Sequence, residues 1–277
     1  MNITDVCGTV SLSNGVKMPY LGLGVYKSQN GNEVIHAVHY ALDAGYRHID
    51  TAALYQNEEG VGKAVADASI DRKDLFITSK VWNTDQGYDP AIRAFYQSLS
   101  KLKTDYLDLY LVHWPVEGKY KDTWRALETL YDEGKIKAIG VSNFLQHHLE
   151  DLLQAARIAP MVDQLEFHPR LIQPSLLDFC KQQQIQYEAW APLMQGRVLD
   201  LSELGIIAGK YDKSIAQLVL RWDLQKGVVT IPKSVHKNRV MENAALFDFE
   251  ISEEDMLLID TLDCKARIGP DPDHFSF

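Results

Sequence analysis

A chain of 277 residues has the length of one α/β barrel or of two smaller domains, and a composition that is 46% hydrophobic and 24% charged supplies a sizeable core. The net charge of −10 argues against nucleic acid and anionic membranes as partners, because an acidic chain repels polyanions unless it gathers its basic residues locally. Cys7, Cys180 and Cys264 are odd in number, widely spaced and without a CxxC pair, which excludes a disulfide framework or a zinc site and fits a reducing cytoplasm.

The opening MNITDVCGTV lacks a basic leader region, and no run reaches the ~18 apolar residues of a membrane helix, so a soluble intracellular protein is expected. The first element is a hairpin. Val10 and Leu12 alternate with polar residues, Asn14-Gly15 supplies the turn, and Val16 and Met18 resume the alternation. Short apolar runs then alternate with longer amphipathic stretches. The runs Tyr20–Leu23, His48–Asp50, Leu75–Thr78, Leu107–Val112, Ile136–Val141, Met161–Leu165, Tyr187–Trp190 and Val228–Ile231 read as strands. Between and after them, helices are expected at Val34–Ala44, Asn57–Asp67, Pro90–Leu102 (capped by Asp89), Thr123–Glu133, Leu149–Ala156, Ser175–Gln183, Ile215–Gln225 and Arg239–Leu246. A last helix, Glu253–Leu262, starts from Ser252 with Asp255 three residues on, an acidic variant of the capping box.

Eight strand–helix units in this length point to a (β/α)₈ TIM barrel, one domain over residues 1–277, with an N-terminal β-hairpin and an extra C-terminal helix. A doubly wound dinucleotide fold is the rival. Its GxGxxG signature fails at Lys27 after Gly22-Leu23-Gly24, and at Val65 after Gly60-Val61-Gly62.

In a barrel, chemistry sits at the C-terminal ends of strands. Those positions hold Asp50 and Tyr55, Lys80 and Trp82, His113 and Trp114, Ser142 and Asn143, Gln164, Trp190, and Lys233 with Ser234. A Lys⁺ beside a Tyr favours the phenolate, an Asp holds the Lys charged, and a His can orient a carbonyl oxygen. Such a site can protonate a developing alkoxide without a metal or a covalent intermediate, given a source of hydride. Taken singly, each residue has a structural explanation; their coincidence at successive strand ends does not. Glu166 and His168 lack the spacing of a metal site with His113, so no metal is expected, and His147-His148 falls on a solvated helix face.

The stretch Gly45-Tyr46-Arg47-His48-Ile49-Asp50-Thr51-Ala52, followed by Tyr55 and Asn57-Glu58, resembles the aldo-keto reductase signature. So do Ser79-Lys80-Val81-Trp82-Asn83, Leu107 through Pro115, Ile139-Gly140-Val141-Ser142-Asn143-Phe144 and Ile231-Pro232-Lys233-Ser234. Within that family the chain is similar to small prokaryotic glyoxal and methylglyoxal reductases, to diketogluconate reductases and to kinetoplastid prostaglandin F synthase. The resemblance implies a catalytic tetrad of Asp50, Tyr55, Lys80 and His113, with Tyr55 as general acid. It implies NADPH/NADP⁺ as cofactor and a small-molecule carbonyl as substrate, in a cytoplasmic monomer. Cofactor contacts would come from Gly24, Val25, Asp50, Ser142, Asn143, Gln164, Trp190, Ala191, Pro192, Leu193, Gln195, Gly196, Ile231, Lys233, Ser234, Val235, Arg239, Glu242 and Asn243. Ala191 departs from the serine common there, and Tyr26 from a Trp or Phe.

The NADP preference also has a physical basis. Lys233, His236, Lys237 and Arg239 cluster within seven residues of an acidic chain, just before a helix N-terminus that favours anions. The substrate pocket, lined by Tyr26, Trp82, His113 and Trp114, is expected to be open and shallow because the surrounding loops and the tail after Asp263 are short. A regulatory NADPH-binding subunit on the same fold is the alternative function, against which the complete tetrad argues.

Overall fold

The computed structural model describes residues 3–277; Met1 and Asn2, the start of the segment read for a leader, lie outside the described residues. β1 (Thr9–Ser11) and β2 (Lys17–Pro19) pair antiparallel with Val10 opposite Met18, as the alternation requires. Gly15, at φ 87°, takes the left-handed turn position, where a Cβ would strain the backbone. The hairpin lies across the N-terminal mouth of a barrel, where Asn14 Nδ2 donates to Lys137 O at 2.9 Å.

The barrel strands are β3 (Gly22–Gly24), β4 (His48–Asp50), β5 (Phe76–Val81), β6 (Leu107–Val112), β7 (Ile136–Ser142), β8 (Val162–Glu166), β9 (Gln186–Trp190) and β10 (Val229–Thr230). They run parallel, each paired with the next in sequence order. A single bridge, Leu21 to Thr230, closes the ring, supported by Thr230 N donating to Tyr20 O at 2.9 Å. The helices are α1 (Asn32–Asp43), α2 (Glu58–Asp67), α3 (Tyr88–Leu102), α4 (Tyr120–Asp132), α5 (Gln146–Leu153), α6 (Pro174–Gln182), α7 (Ser202–Lys210), α8 (Ile215–Gln225), α9 (Lys237–Ala244) and α10 (Glu253–Asp260). This is the (β/α)₈ architecture, with α10 as the additional C-terminal helix.

The differences from expectation lie at the ends of elements and in one additional helix: β3 begins at Gly22 instead of Tyr20, and β5 runs past Thr78 to Val81, so Lys80 lies within it and not after it. α4 and α5 each begin three residues before the expected start: α5 opens on the polar turn Gln146-His147-His148, which carries no apolar period, whereas α4 opens on Tyr120, whose ring packs edge-on to Phe144 at 5.4 Å. α3 is preceded by Gly87, so Asp89 lies in its first turn and is not its cap. α7 was not anticipated. Ser252 does cap α10, accepting from Asp255 N at 3.2 Å. The Asp255 carboxylate does not return to Ser252; it accepts from Lys210 Nζ at 2.5 Å and Tyr211 Oη at 2.6 Å, tying α10 to the end of α7.

Most of the interior is apolar, but one part of the barrel lumen is not. Residues two apart on a strand share a face. His48 and Asp50 on β4, and Thr78 and Lys80 on β5, therefore form two tiers, which Gln164 from β8 and Glu188 from β9 complete. All six are buried. Cys180 is a buried core residue, and Cys7 and Cys264 are exposed and free.

Candidate active site

Lys80 is fully buried, and its ammonium is surrounded by oxygen. It donates to Asp50 Oδ1 at 2.7 Å and Oδ2 at 2.8 Å, to Thr51 O at 3.0 Å and to Tyr55 Oη at 3.4 Å. Tyr55 reaches this point from a single 3₁₀ turn, Ala53–Tyr55, after β4. The turn is held in place by Asn57, which accepts from Thr51 Oγ1 at 2.8 Å and donates to Val25 O at 2.9 Å and Ser28 O at 3.0 Å. Glu58 beside it accepts from Ser79 Oγ at 2.6 Å, locking the start of α2 to β5. His113, at the end of β6, stands edge-on to Tyr55 with ring centroids 5.8 Å apart.

The electrostatics follow from burial. Removal from water alone would push Lys80 down, but Asp50, together with Tyr55 and Glu188, turns it upward, so it stays an ammonium. Burial pushes the Tyr55 phenol up and Lys80 opposes it; burial wins, and the group is pushed up to about 12. Lys80 thus acts in the direction expected from the sequence without setting the net result. Burial and then the Lys80 charge hold His113 well below the ordinary imidazole range, leaving it neutral.

Trp190 ends β9, and its Nε1 donates to Asn143 Oδ1 at 2.9 Å. Asn143 donates in turn to His113 O at 2.9 Å, and Ser142 Oγ donates to Gln164 O at 2.8 Å. Ser142, Asn143, Gln164 and Trp190 therefore form one hydrogen-bonded group beside Asp50 and His113. The far side of Trp190 is closed by Gly269, where a Cβ would lie 2.4 Å from Trp190 Cη2. Gly269 N and Ile268 N both donate to the Glu166 carboxylate, at 3.1 and 2.6 Å, and His168 Nε2 lies 2.9 Å from it. Glu166 and His168 anchor the C-terminal segment to the site, a role that pattern reading did not reveal.

The remaining residues named for the cofactor lie in or just after β3, β9 and β10, the strands at and beside the barrel closure, and on α9. Gly24 packs so tightly that a Cβ would meet Ile231 O at 2.8 Å, and Val25 N donates to Asp50 O at 3.1 Å. Ala191 (φ 51°), Gln195 (φ 54°) and Gly196 (φ 95°) give the segment after Trp190 a left-handed course, with Pro192 buried and Leu193 half-buried within it. Ser234 and Asn243 are buried, Val235 is half-buried, and Lys233, Arg239 and Glu242 are exposed. Among the described residues no side chain caps α9, and Lys233, His236, Lys237 and Arg239 make no ion pair. Free helix N–H groups beside unpaired cations suit a phosphate group, so these residues fit a phosphorylated dinucleotide.

The aromatic wall carries more than Tyr26, Trp82 and Trp114. Tyr26 is exposed, and its ring lies 5.0 Å from that of Tyr55. Phe277 stacks on Trp82 at 5.4 Å and stands edge-on to Trp114 at 5.2 Å, and Phe275 lies 5.0 Å from Trp114. The tail is brief, as its length suggested, yet it folds back over this wall and leaves Trp114 buried. His147 and His148 meet this tail. Their Nε2 atoms lie 3.0 and 3.5 Å from Asp273 Oδ1. His148 Nδ1 accepts from Leu145 N at 3.1 Å, so its Nε2 carries the proton and faces the carboxylate.

The sequence profile of the aldo/keto reductase family matches residues 8–263. The chain is 60% identical over 274 residues to glyoxal reductase of Bacillus subtilis, covering 99% of each. It is 48% identical over 270 residues to methylglyoxal reductase DkgA of Salmonella typhimurium, covering 96% of this chain and 97% of the relative. Among solved structures, an aldo-keto reductase from a Medee basin deep-sea metagenome library superposes with a TM-score of 0.95 at 46% identity, covering 97% of this chain and all of that one. A mutant of Gox0644 in complex with NADPH superposes at 0.93 and 42% identity, covering 97% and 98%. Matched in profile, in sequence and in backbone over almost its whole length, this oxidoreductase belongs to the aldo/keto reductase family.

Proposed function

We propose that the chain, acting over residues 1–277 as one barrel domain and as a cytoplasmic monomer, reduces small aldehydes, ketones and dicarbonyls with NADPH, Tyr55 giving the proton. The observation that carries this reading is the buried Lys80, bonded at once to Asp50 and to the Tyr55 hydroxyl, with a neutral His113 ring beside it. Trp190 would stack on the nicotinamide, Ser142, Asn143 and Gln164 would hold its carboxamide, and Lys233, Ser234 and Arg239 would hold the 2′-phosphate. When bound, the dinucleotide supplies the hydride. The chain does the rest. His113 donates a hydrogen bond to the carbonyl oxygen and orients it. Tyr55 keeps its proton until the oxygen gains charge and then releases it toward that oxygen, while Lys80 stabilises the phenolate left behind.

The naming of relatives as glyoxal and methylglyoxal reductases supports small dicarbonyls as substrates. The aromatic wall, already partly covered by Phe275 and Phe277, leaves little apolar surface for a bulky ketone, and each Å² of lost contact costs about 25 cal/mol. The test is a carbonyl panel assayed with NADPH and with NADH in excess chelator. The highest kcat/KM is expected for methylglyoxal-like dicarbonyls or nitrobenzaldehyde-like aldehydes with NADPH, and poor turnover for steroids. A steroid ketone outperforming every small aldehyde would overturn the pocket reading. No NADPH oxidation with any carbonyl would favour a regulatory cofactor-binding subunit.

A further inference from the structure

The lumen of the barrel holds more polar groups than this chemistry uses. His48, Thr78 and Glu188 are fully buried below Asp50 and Lys80, where barrels ordinarily stack bulky branched side chains. Glu188 Oε2 accepts one hydrogen of the Gln164 amide at 2.8 Å, and Asp50 Oδ2 accepts the other at 2.8 Å. This double contact sets the amide: a flipped Gln164 would aim its oxygen at both carboxyls. The Gln164 carbonyl oxygen is therefore turned away from them. His48 Nε2 lies 3.0 Å from Thr78 Oγ1 and 3.8 Å from Glu188 Oε1. Glu188 Oε1 itself has no hydrogen-bond partner among the described residues. A buried carboxyl left partly unsatisfied costs stability, and its presence calls for a reason other than packing.

We propose that Glu188 is a positioning residue for the reduction: protonated, it holds Gln164 against Asp50, and once ionised it sets a second negative charge beside the Asp50–Lys80 pair and weakens Tyr55 as an acid. This rests on the proposed roles of Asp50, Lys80 and Tyr55. With Glu188 neutral, one carboxylate balances one ammonium. With Glu188 ionised, two carboxylates share Lys80, and the added negative charge opposes formation of the Tyr55 phenolate. A weaker acid transfers its proton more slowly.

The groups facing Glu188 cannot cancel this effect. β4 brings Asp50 and His48, and burial holds His48 down to about 3, so it stays uncharged. β5 brings Lys80, already bonded to Asp50, β8 brings the uncharged Gln164, and β10 runs alongside with Val229 and Thr230. Burial first, and then the Asp50 charge, push Glu188 up to about 8, against the Gln164 bond and Lys80, so the change falls in the mildly alkaline range.

The sign for stability is fixed by the same shift. A carboxyl raised in the folded state stabilises fully below its unfolded pKa, and that contribution is lost as pH rises through the folded value. Glu188→Gln keeps the shape and an acceptor oxygen for Gln164 but cannot ionise. In wild type, kcat/KM is expected to fall roughly tenfold between about pH 7 and 9. In E188Q that fall should be absent, with only later changes remaining. The melting temperature of ligand-free E188Q should rise relative to wild type as pH is raised from about 5 to 9. Glu188→Met removes the acceptor as well, and fluorescence titration should give NADPH binding weaker by about three- to tenfold. An alkaline limb in E188Q matching wild type, together with a melting difference that does not change with pH, would overturn the proposal. If E188M fails to fold, E188Q alone decides. The melting and binding readouts need no turnover. A Tyr55→Phe enzyme that stays active would therefore remove the Tyr55 reading and leave the Glu188 measurements separately interpretable.

Discussion

Two opposed forces act on the Tyr55 hydroxyl. Burial keeps its proton on, and the Lys80 ammonium 3.4 Å away favours its release. A phenol held neutral is a proton donor throughout the physiological range, and Lys80 becomes most useful at the moment when negative charge appears on that oxygen. Tyr55→Phe keeps the ring, its edge-on contact with His113 and the surrounding packing, and removes only the proton. The expected result is a drop in kcat of about 10²–10⁴ with NADPH affinity retained. Steady-state kinetics beside a fluorescence titration will read both, and retention of more than about a tenth of the rate would remove Tyr55 from the role. At this scale the sequence was informative where side chain and strand position coincide. Asp50, Lys80 and His113 stand at strand ends and come together as expected. Glu188 was overlooked because it lies inside the apolar run Tyr187–Trp190, and periodicity cannot say that a lumen position is polar for a purpose.

The loop between β10 and α9 concentrates basic charge on an acidic molecule. Arg239 is exposed and without an ion pair among the described residues, so its removal should leave the fold undisturbed. Arg239→Ala is expected to weaken NADPH binding roughly ten- to hundredfold while leaving NADH nearly unchanged, as paired titrations will show. Equal losses for both dinucleotides would mean that Arg239 supports the loop and not the 2′-phosphate. Elements with a clear apolar period were legible, and all eight barrel strands fall where apolar runs occur. α7 was not, for a physical reason. Gly205 and Gly209 interrupt it, each costing about 1 kcal/mol of helix propensity. Ile206, an apolar residue, faces solvent at 72% exposure, which blurs the stripe formed by Leu204 and Ile207. The tail escaped for a different reason. Phe275 and Phe277 have no local periodicity, and their partners Trp82 and Trp114 lie far away in sequence.

The barrel is not equally strong around its circumference. β6 and β7 pair from Leu107–Ile136 to Val112–Val141, whereas the ring is completed between its first and last strands by the Leu21–Thr230 bridge, with Gly24 N donating to Pro232 O at 3.3 Å beyond it. Amide hydrogen exchange should therefore be faster at Gly24 and Thr230 than at Leu109 or Ile139, and equal protection would contradict this view. The proposed dinucleotide contacts stand on both sides of that seam, Gly24 and Val25 on one edge and Ile231, Lys233 and Ser234 on the other. A ligand spanning them would act as a clasp, adding about 2.7 kcal/mol at a hundredfold excess over its Kd and adding it where the cylinder is thinnest. Its protection should then appear as slowed exchange at the two seam edges before anywhere else, and a dinucleotide bound in the proposed way would serve as the last stave of the barrel.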